Sequence, residues 1–197
     1  MGKKHGPNKA NLEATRRVFL NIARKEFSTQ GYYNASTAHI VEESGMARGS
    51  LYYHFGDKKG LFRAVYEELM TEMRDAVKKD VAGAKDSWDA FIVGGLKILD
   101  FCMTNEIRRI VIDVHTALSY RERLEVLQRT LLYELRAVLQ GVYKMGYFKG
   151  HDPRSLSIMI FGILSEGGRS LELADDIHKA RDALGKSFVL LMEAARE

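Results

Sequence analysis

The chain has 197 residues, of which 46% are apolar and 28% charged, a composition typical of a folded domain and not of a disordered chain. Its single cysteine, Cys102, has no second cysteine to pair with, which excludes a disulfide scaffold and indicates a reducing compartment, expected to be the cytoplasm. No segment reaches the roughly 20 apolar residues of a membrane helix, so we expect no membrane span.

The charge is divided unevenly along the chain. Residues 1–65 contain eleven Lys and Arg against five Asp and Glu, a net charge of +6, whereas the remaining residues have a net charge of −2. A basic segment joined to a slightly acidic body is typical of a polyanion-binding head on a separate partner-binding or ligand-binding module. Chance and a solvated basic face are the plainer interpretation.

The N-terminal segment predicts three helices. Apolar residues at steps of three and four predict a first helix over residues 11–30, which Gly31 ends. Ser36 is a favoured N-cap for a second helix of about two turns, and a turn at residues 44–46 precedes a third helix over residues 47–54. Two short helices across a glycine-bearing turn indicate a helix-turn-helix.

The rest of the chain also predicts helices. Asp57 can cap a fourth helix over residues 58–80, and Asp152 and Asp176 are favoured N-caps for the last two helices. The expected fold is therefore all-α, with about nine helices. We predict a helix-turn-helix head over residues 1–57 and a ligand-binding and dimerisation body over residues 58–197, the fourth helix linking the two. The helices expected between the linking helix and the last pair cover residues 87–103, 106–117 and 121–145.

The two terminal helices are apolar enough to pack against the body and also against a second copy of the chain. A homodimer through these helices is therefore expected, with a monomer that has a thick core as the alternative. The residues predicted at the dimer interface are Ile160, Ile163, Leu164, Gly167, Leu171, Leu184, Phe188 and Leu191.

The N-terminal segment contains a run of residues at fixed spacing. They are Phe27, Gly31, Tyr32, Ser36, Thr37, Ile40, Glu43, Gly45, Gly49, Leu51, Tyr52, Tyr53, His54, Phe55, Lys58, Leu61 and Phe62. This run resembles the head of the tetracycline-repressor (TetR) family of bacterial transcriptional regulators. The resemblance covers about a quarter of the chain, and its many fixed positions make it specific. It implies a DNA-binding head followed by a variable helical body that binds a small molecule and dimerises through its last two helices.

The third helix is expected to read DNA. Arg48 at its start can donate paired hydrogen bonds to guanine in the major groove, and Gly49 would let the backbone approach a base edge or phosphate. Ser36 and Thr37 start the second helix, where free N–H groups favour a phosphate, although Ser36 can be a cap and no more. Family members commonly carry Ser or Thr where this chain has Ala47.

The resemblance completes the set of predicted DNA contacts. It implies that Ser50, Tyr52, Tyr53 and His54 contact bases or backbone and that Lys58 binds a phosphate, with a core role as the alternative for His54. The full predicted set is Ser36, Thr37, Ala47, Arg48, Gly49, Ser50, Tyr52, Tyr53, His54 and Lys58.

Aromatic and polar residues of the body are candidates for effector binding, because they lie on the helices that enclose the effector cavity in the resembled family. They would suit an apolar or aromatic ligand, although aromatic residues at helical spacing are more often core. The candidates are Trp88, Phe91, Phe101, Arg109, Asp113, His115, Tyr120 and Tyr133.

No motif for catalysis, a cofactor or a metal stands out, so we expect neither an enzyme nor a cofactor. The function predicted is a ligand-responsive transcriptional regulator, a repressor, that binds a palindromic operator as a homodimer. Two alternatives remain: an architectural or cell-division DNA-binding protein without an effector, and a helical ligand-binding scaffold protein.

Overall fold

The computed structural model describes residues 9–196, and all regular structure in this range is helical, which confirms the all-α prediction. Within these residues no helix is both long and apolar enough to cross a membrane. In chain order the α-helices are α1 Lys9–Asn34, α2 Thr37–Ser44, α3 Arg48–Phe55, α4 Lys58–Val81, α5 Ser87–Phe101, α6 Asn105–Ala117, α7 Tyr120–Arg129, α8 Leu131–Lys144, α9 Pro153–Ser170 and α10 Ile177–Ala194, and a short 3-10 helix Leu171–Leu173 follows α9.

The predicted N-caps lie where the sequence places them. Ser36 accepts a hydrogen bond from the backbone N–H of residue 39 at 3.2 Å, and Asp57 accepts one from that of residue 60 at 2.6 Å. Asp152 and Asp176 accept the corresponding bonds of α9 and α10 at 2.7 and 3.1 Å. The starts of α2, α4, α9 and α10 are thus each satisfied by a local side chain.

Gly31 interrupts α1 as expected. Its φ of 75° and ψ of 165° are not helical, although helical residues continue to Asn34. A β-carbon at Gly31 would overlap the guanidinium of Arg109 in α6. The left-handed backbone therefore favours glycine here, and a larger residue would also displace the end of the Arg109 side chain.

The prediction of a single helix over residues 121–145 is wrong. The structure has two helices, α7 and α8, separated at Thr130, whose φ and ψ of −118° and −103° are not helical. The Thr130 hydroxyl donates a hydrogen bond to the carbonyl oxygen of Val126 at 2.9 Å, in the way that β-branched hydroxyl residues compete with helical backbone bonds. The described chain therefore has ten α-helices instead of about nine.

Helix α4 is shared by the N-terminal helices and the body. Phe62 of α4 packs edge-to-face on Phe27 of α1, with ring centroids 4.9 Å apart, and Leu51 of α3 is fully buried beside them. Further along, α4 packs against α5, α6, α7 and α8. One continuous helix thus runs from beneath the helix-turn-helix into the centre of the body.

The last two helices bury one apolar face and expose another. Among the residues predicted at a dimer interface, Ile160, Leu164, Leu171 and Phe188 belong to the core of the chain itself, which corrects that assignment. Gly167 packs against Leu184: a β-carbon added at Gly167 would lie 3.5 Å from the Leu184 Cδ2. Ile163 and Leu191 are 43% and 52% exposed.

The outward side of these helices is also apolar. Met159 of α9 is 66% exposed and Leu190 of α10 is 73% exposed, beside the exposed Ile163 and Leu191. Residues 159 and 163 are one turn apart, as are 160 and 164, so the exposed pair lies one helical step away from the buried pair. We call Met159, Ile163, Leu190 and Leu191 the α9–α10 apolar face.

Candidate nucleic-acid interface and ligand cavity

Helix α3 presents one face to solvent and buries the other. Arg48, Gly49, Tyr52 and Tyr53 are exposed, Tyr53 by 72%, whereas Leu51 is fully buried. Positions 48, 49, 52 and 53 repeat at a helical step of four and so form one surface. A two-turn helix that is anchored by a leucine and exposes arginine and tyrosine has the shape and chemistry of a major-groove reader.

Arg48 and Tyr52 form a pair on this surface. The Arg48 Nη2 donates to the Tyr52 hydroxyl at 3.3 Å, and its Cζ lies 5.5 Å from the centre of the tyrosine ring. The hydrogen bond from Arg48, and after it the nearby Thr37 side chain, lower the pKa of Tyr52, and the interaction with Tyr52 raises the pKa of Arg48. The guanidinium is therefore held along the exposed face of α3 and keeps donors for a base edge.

Gly49 faces open space. A β-carbon built there would meet no protein atom within 4 Å. The protein itself therefore does not require glycine at this position, and the free space is available to a group approaching from outside. Ala47 is the N-cap residue of α3. Because alanine lacks the hydroxyl of Ser or Thr, no side chain caps this helix.

Lys58 begins α4 beside this surface. Its Nζ donates to the backbone carbonyl of Tyr33 at 2.9 Å and lies 5.1 Å from the centre of the Tyr32 ring. Desolvation lowers the pKa of Lys58, and the charge of Glu26 opposes that shift. The ammonium is thus oriented by two neighbours, and an ammonium group can donate three hydrogen bonds, which leaves capacity for a phosphate oxygen.

The start of α2 is ordered by Glu26. This carboxylate is 8% exposed and accepts hydrogen bonds from the Ser36 backbone N–H and the His39 Nδ1, both at 2.9 Å. Burial raises the pKa of Glu26, but these two bonds and the nearby cations lower it overall. Ser36 therefore caps α2, while Thr37 lies at the helix N-terminus next to the Tyr52 hydroxyl.

Two other predicted contacts are less exposed. Ser50 is half-buried, and the His54 ring packs between Tyr53 and Phe55 with its Nε2 enclosed and without a hydrogen-bond partner among the described residues. His54 therefore supports the position of Tyr53 more than it presents a polar atom outward.

The body contains a cavity of about 280 Å³ lined by residues of α4, α5, α6, α7, α8 and α9. Its wall is mostly apolar, and the polar residues on it include Tyr66, His115, Arg123 and Glu166. Partial desolvation lowers the pKa of His115, and the neighbouring cations Arg169 and Arg123 lower it further. Apolar residues of the wall include Met70, Met73, Ile98, Val114, Leu127 and Phe161.

Only two of the eight predicted effector residues line this cavity, His115 and Tyr120. Trp88 and Phe91 belong to an aromatic cluster with Phe148, and Phe91 also lines a second space of about 70 Å³. Phe101 is half-buried against the core, and Tyr133 is 66% exposed. Trp88, Phe91 and Phe101 therefore pack in or against the core and Tyr133 faces solvent, so none of these four lines the 280 Å³ cavity.

Arg109 and Asp113 also lie outside the cavity. The Asp113 Oδ2 accepts a hydrogen bond from the Tyr32 backbone N–H at 2.7 Å, and the Arg109 Nε lies 3.4 Å from the same oxygen. These two residues share the side of α6 that faces the end of α1, one turn apart, whereas Val114 and His115 face the cavity. They join the body to the helix-turn-helix.

Tyr66 and Arg123 are cavity residues that the sequence did not single out. Tyr66 is 4% exposed, and burial strongly raises its pKa. Arg123 donates to the Leu118 carbonyl oxygen at 2.7 Å and makes no ion pair with any described carboxylate. Their only sequence signal is their position, 57 residues apart, on helices whose packing a single sequence does not define.

Ion pairs connect the cavity wall to the first turns of α4. Lys59 lies 2.7 Å from Glu122, and Arg63 lies 2.8 Å from Glu125. Glu122 also completes a capping box with Ser119 at the start of α7. The hydrogen bonds from Lys59 and Ser119 lower the pKa of Glu122 to about 2.

Comparisons with known proteins agree with this arrangement. The profile described as "Bacterial regulatory proteins, tetR family" matches residues 19–65, and "Tetracyclin repressor-like, C-terminal domain" matches residues 88–195. The chain is 29% identical over 195 residues to the HTH-type transcriptional regulator SrpR of Pseudomonas putida, with 95% of this chain and 90% of that protein covered.

Other matches cover the head alone or the whole fold. The HTH-type transcriptional repressor AcnR of Corynebacterium glutamicum is 35% identical over 66 residues, which are 34% of this chain and 35% of that protein. A TetR-family regulator from Pectobacterium atrosepticum superposes with a TM-score of 0.79 at 28% identity, with 96% and 98% of the two chains covered. The chain belongs to the TetR family of bacterial transcriptional regulators, which bind DNA and are often repressors.

Proposed function

We propose that this protein is a ligand-responsive repressor that binds a palindromic operator as a homodimer and is released by a small apolar or aromatic effector. Residues 1–57 would form the DNA-binding head, and residues 58–197 the effector-binding and dimerisation body. The observation that carries the proposal is the outward face of α3, where Arg48, Tyr52 and Tyr53 surround the open space at Gly49.

In the proposed complex α3 enters the major groove. Arg48 donates to a guanine, Gly49 allows the helix backbone to approach, and Tyr52 and Tyr53 contact base edges or sugar-phosphate. Thr37 at the start of α2 and Lys58 at the start of α4 bind phosphates on either side. The positive net charge of the first 65 residues supports this assignment.

We propose dimerisation through the α9–α10 apolar face. Its four large side chains are exposed in a single chain, and exposed apolar surface of this kind favours association with a partner. Two-fold symmetry would place two α3 helices in successive major grooves, roughly 34 Å apart on a palindrome.

The effector would bind in the 280 Å³ cavity. Lys59, Arg63, Tyr66, Met70 and Met73 repeat at steps of three and four along α4, so the ion-paired turns and the cavity wall lie on one stripe of the same helix. A ligand that favours one position of α4 would change the spacing of the two α3 helices. Reversing a 99:1 population requires about 5.5 kcal/mol of differential binding.

A gel-shift assay on the DNA upstream of the protein's own gene, at two salt concentrations, tests the proposal. We expect a specific complex whose affinity falls steeply with salt, because each neutralised phosphate releases condensed counterions. Equal affinity for unrelated DNA of the same length would contradict operator recognition.

The two rival functions predict different results in the same experiments. A scaffold protein would not bind DNA at either salt concentration. An architectural DNA-binding protein would bind DNA but would not respond to a ligand, and the cavity in the body makes it the weaker explanation.

A further inference from the structure

We propose that the cavity selects a compact carboxylate with an apolar body, whose carboxylate group is bound by Tyr66 and Arg123. This inference rests on the proposed function, because it names the chemical class of the effector. It is carried by two polar groups that the protein leaves available in a mostly apolar wall.

The first group is the Tyr66 hydroxyl. Tyr66 is 4% exposed, yet its hydroxyl has no hydrogen-bond partner among residues 9–196. The hydroxyl is not among the fully enclosed polar atoms, and Tyr66 lines the cavity, so a ligand atom there can accept its hydrogen bond. The hydroxyl of Tyr143 is also unpartnered, but it is fully enclosed and does not border this cavity.

The second group is the Arg123 guanidinium. One of its nitrogens, Nη1, holds the Leu118 carbonyl oxygen at 2.7 Å, and no carboxylate among the described residues pairs with it. Its charge reaches Tyr66, since it lowers the pKa of the phenol against the larger rise caused by burial. Both side chains also line the same cavity.

The charge balance of the wall favours an anion. The one acidic residue on the wall, Glu166, is already paired with Arg169 at 2.9 Å, and the lowered pKa of His115 keeps this imidazole neutral near pH 7. Arg123 has no carboxylate partner among the described residues, and its guanidinium is held by the Leu118 carbonyl oxygen and by the Tyr120 ring, whose centroid lies 5.8 Å from its Cζ. A carboxylate would pair with it and accept the Tyr66 hydrogen bond at the same time.

The size of the cavity limits the rest of the ligand. A volume of about 280 Å³ lies at the lower end of the roughly 300–1,000 Å³ typical of ligand pockets. Met70, Met73 and Leu127 on the wall offer no hydrogen-bond donor of ordinary strength. The ligand body should therefore be a single ring or a short branched chain without further charged groups.

Three probes of nearly equal shape test the selection: 4-tert-butylbenzoate, 4-tert-butylbenzamide and 4-tert-butylbenzylamine. Calorimetric titration into the full-length protein without DNA gives the affinity of each. We expect the benzoate to bind at least tenfold more tightly than the amide and the amine to bind most weakly, because a hydrogen bond to a charged group corresponds to roughly ten- to one-hundred-fold in affinity.

Tyr66→Phe removes only the hydroxyl and should weaken benzoate binding about tenfold while changing amide binding less. Arg123→Lys should also weaken benzoate binding. The melting temperature of this variant reports whether loss of the hydrogen bond to the Leu118 carbonyl disturbs the fold. Tyr143→Phe and Arg129→Gln are the matched controls, since Tyr143 lies outside the cavity and Arg129 is an exposed arginine on the same helix as Arg123.

The proposal is overturned if benzoate and amide bind equally, if the amine binds most tightly, if no probe binds at millimolar concentration, or if Tyr66→Phe leaves the preference for the carboxylate unchanged. Operator binding and release are measured separately by gel shift. A benzoate that binds selectively but does not release DNA would contradict the proposed effector response and leave the carboxylate selectivity intact.

Discussion

The outward faces of α3 and α9 are both open to solvent, yet they differ in chemistry. The α3 face carries arginine and tyrosine, whose polar atoms can hydrogen-bond with water or with DNA, and it surrounds the empty space at Gly49. The α9 face carries Met159 and Ile163, which have no strong hydrogen-bonding groups. The first suits a hydrated, salt-sensitive interface, whereas the second suits a dry interface between protein chains.

Charged substitutions on the α9–α10 apolar face should have the largest effect on operator affinity. We expect the double variant Ile163→Asp with Leu191→Asp to be monomeric by analytical ultracentrifugation and to lose at least about a hundredfold in operator affinity, because linked binding to two half-sites is lost. Tyr133→Asp changes an exposed aromatic residue on α8, outside the α9–α10 apolar face, and serves as the control. A double variant that stays dimeric would place the interface elsewhere.

The second-largest loss of operator affinity is expected from substitutions at the proposed DNA contacts of α3 and α4. Arg48→Ala should reduce operator affinity by about 1–3 kcal/mol and reduce affinity for unrelated DNA much less, whereas Lys58→Gln should weaken binding to every sequence alike. Gel shifts on a matched set of single-base operator variants measure both effects, with the exposed Lys25→Gln as a charge control. Equal losses on all DNA from Arg48→Ala would reject its specificity role.

Gly49→Ala separates DNA binding from folding. The added methyl group meets no protein atom, so the free energy of unfolding should stay constant or rise by up to about 1 kcal/mol, as for other Gly-to-Ala changes in helices. Operator affinity should fall about tenfold if DNA occupies the open space. Urea unfolding and gel shifts on the same preparation check the two parts, and undiminished DNA binding would mean that α3 approaches DNA less closely.

The smallest expected effect lies at the ion pair between Lys59 and Glu122. Because its folded-state pKa is about 2, below the ordinary value of 4.5, Glu122 stabilises the fold above pH 4.5, and this contribution is lost as the pH falls toward 2. The pair is partly exposed, so its contribution should be at most about 1 kcal/mol.

Urea unfolding at pH 7, 4.5 and 3 tests this pH dependence. Glu122→Gln should flatten the decline in the free energy of unfolding over that range. Glu42→Gln is the control, because Glu42 makes no ion pair with another described residue. Parallel curves for wild type and Glu122→Gln would show that the ion pair does not stabilise the fold.

The sequence predicts the helix-turn-helix well because its signals are local. Ser36, Asp57 and Gly31 act within a few residues of their own position, and fixed spacing then relates the head to a known family. The break at Thr130 was missed because it involves neither proline nor glycine, only a hydroxyl that bonds to the preceding turn.

The body is harder to predict because its properties arise from packing between distant helices. Ile160 and Ile163 look alike in the sequence, and only the position of neighbouring helices buries one and exposes the other. Arg109 and Asp113 were assigned to a ligand although they bind the end of α1, and Tyr66 was overlooked because a buried tyrosine gives no local signal that its hydroxyl is unpaired.

Helix α4 has a mechanical consequence. At 1.5 Å per residue the 24 residues of Lys58–Val81 form a rod about 36 Å long, so a tilt of only about 5° around its far end would displace its beginning by about 3 Å. Tyr66 on the cavity wall and Lys58, the proposed phosphate-binding residue, lie on this one helix, so a shift of α4 at the cavity would also move Lys58. A small ligand in the cavity could therefore produce a displacement of several ångströms at the N-terminal end of α4.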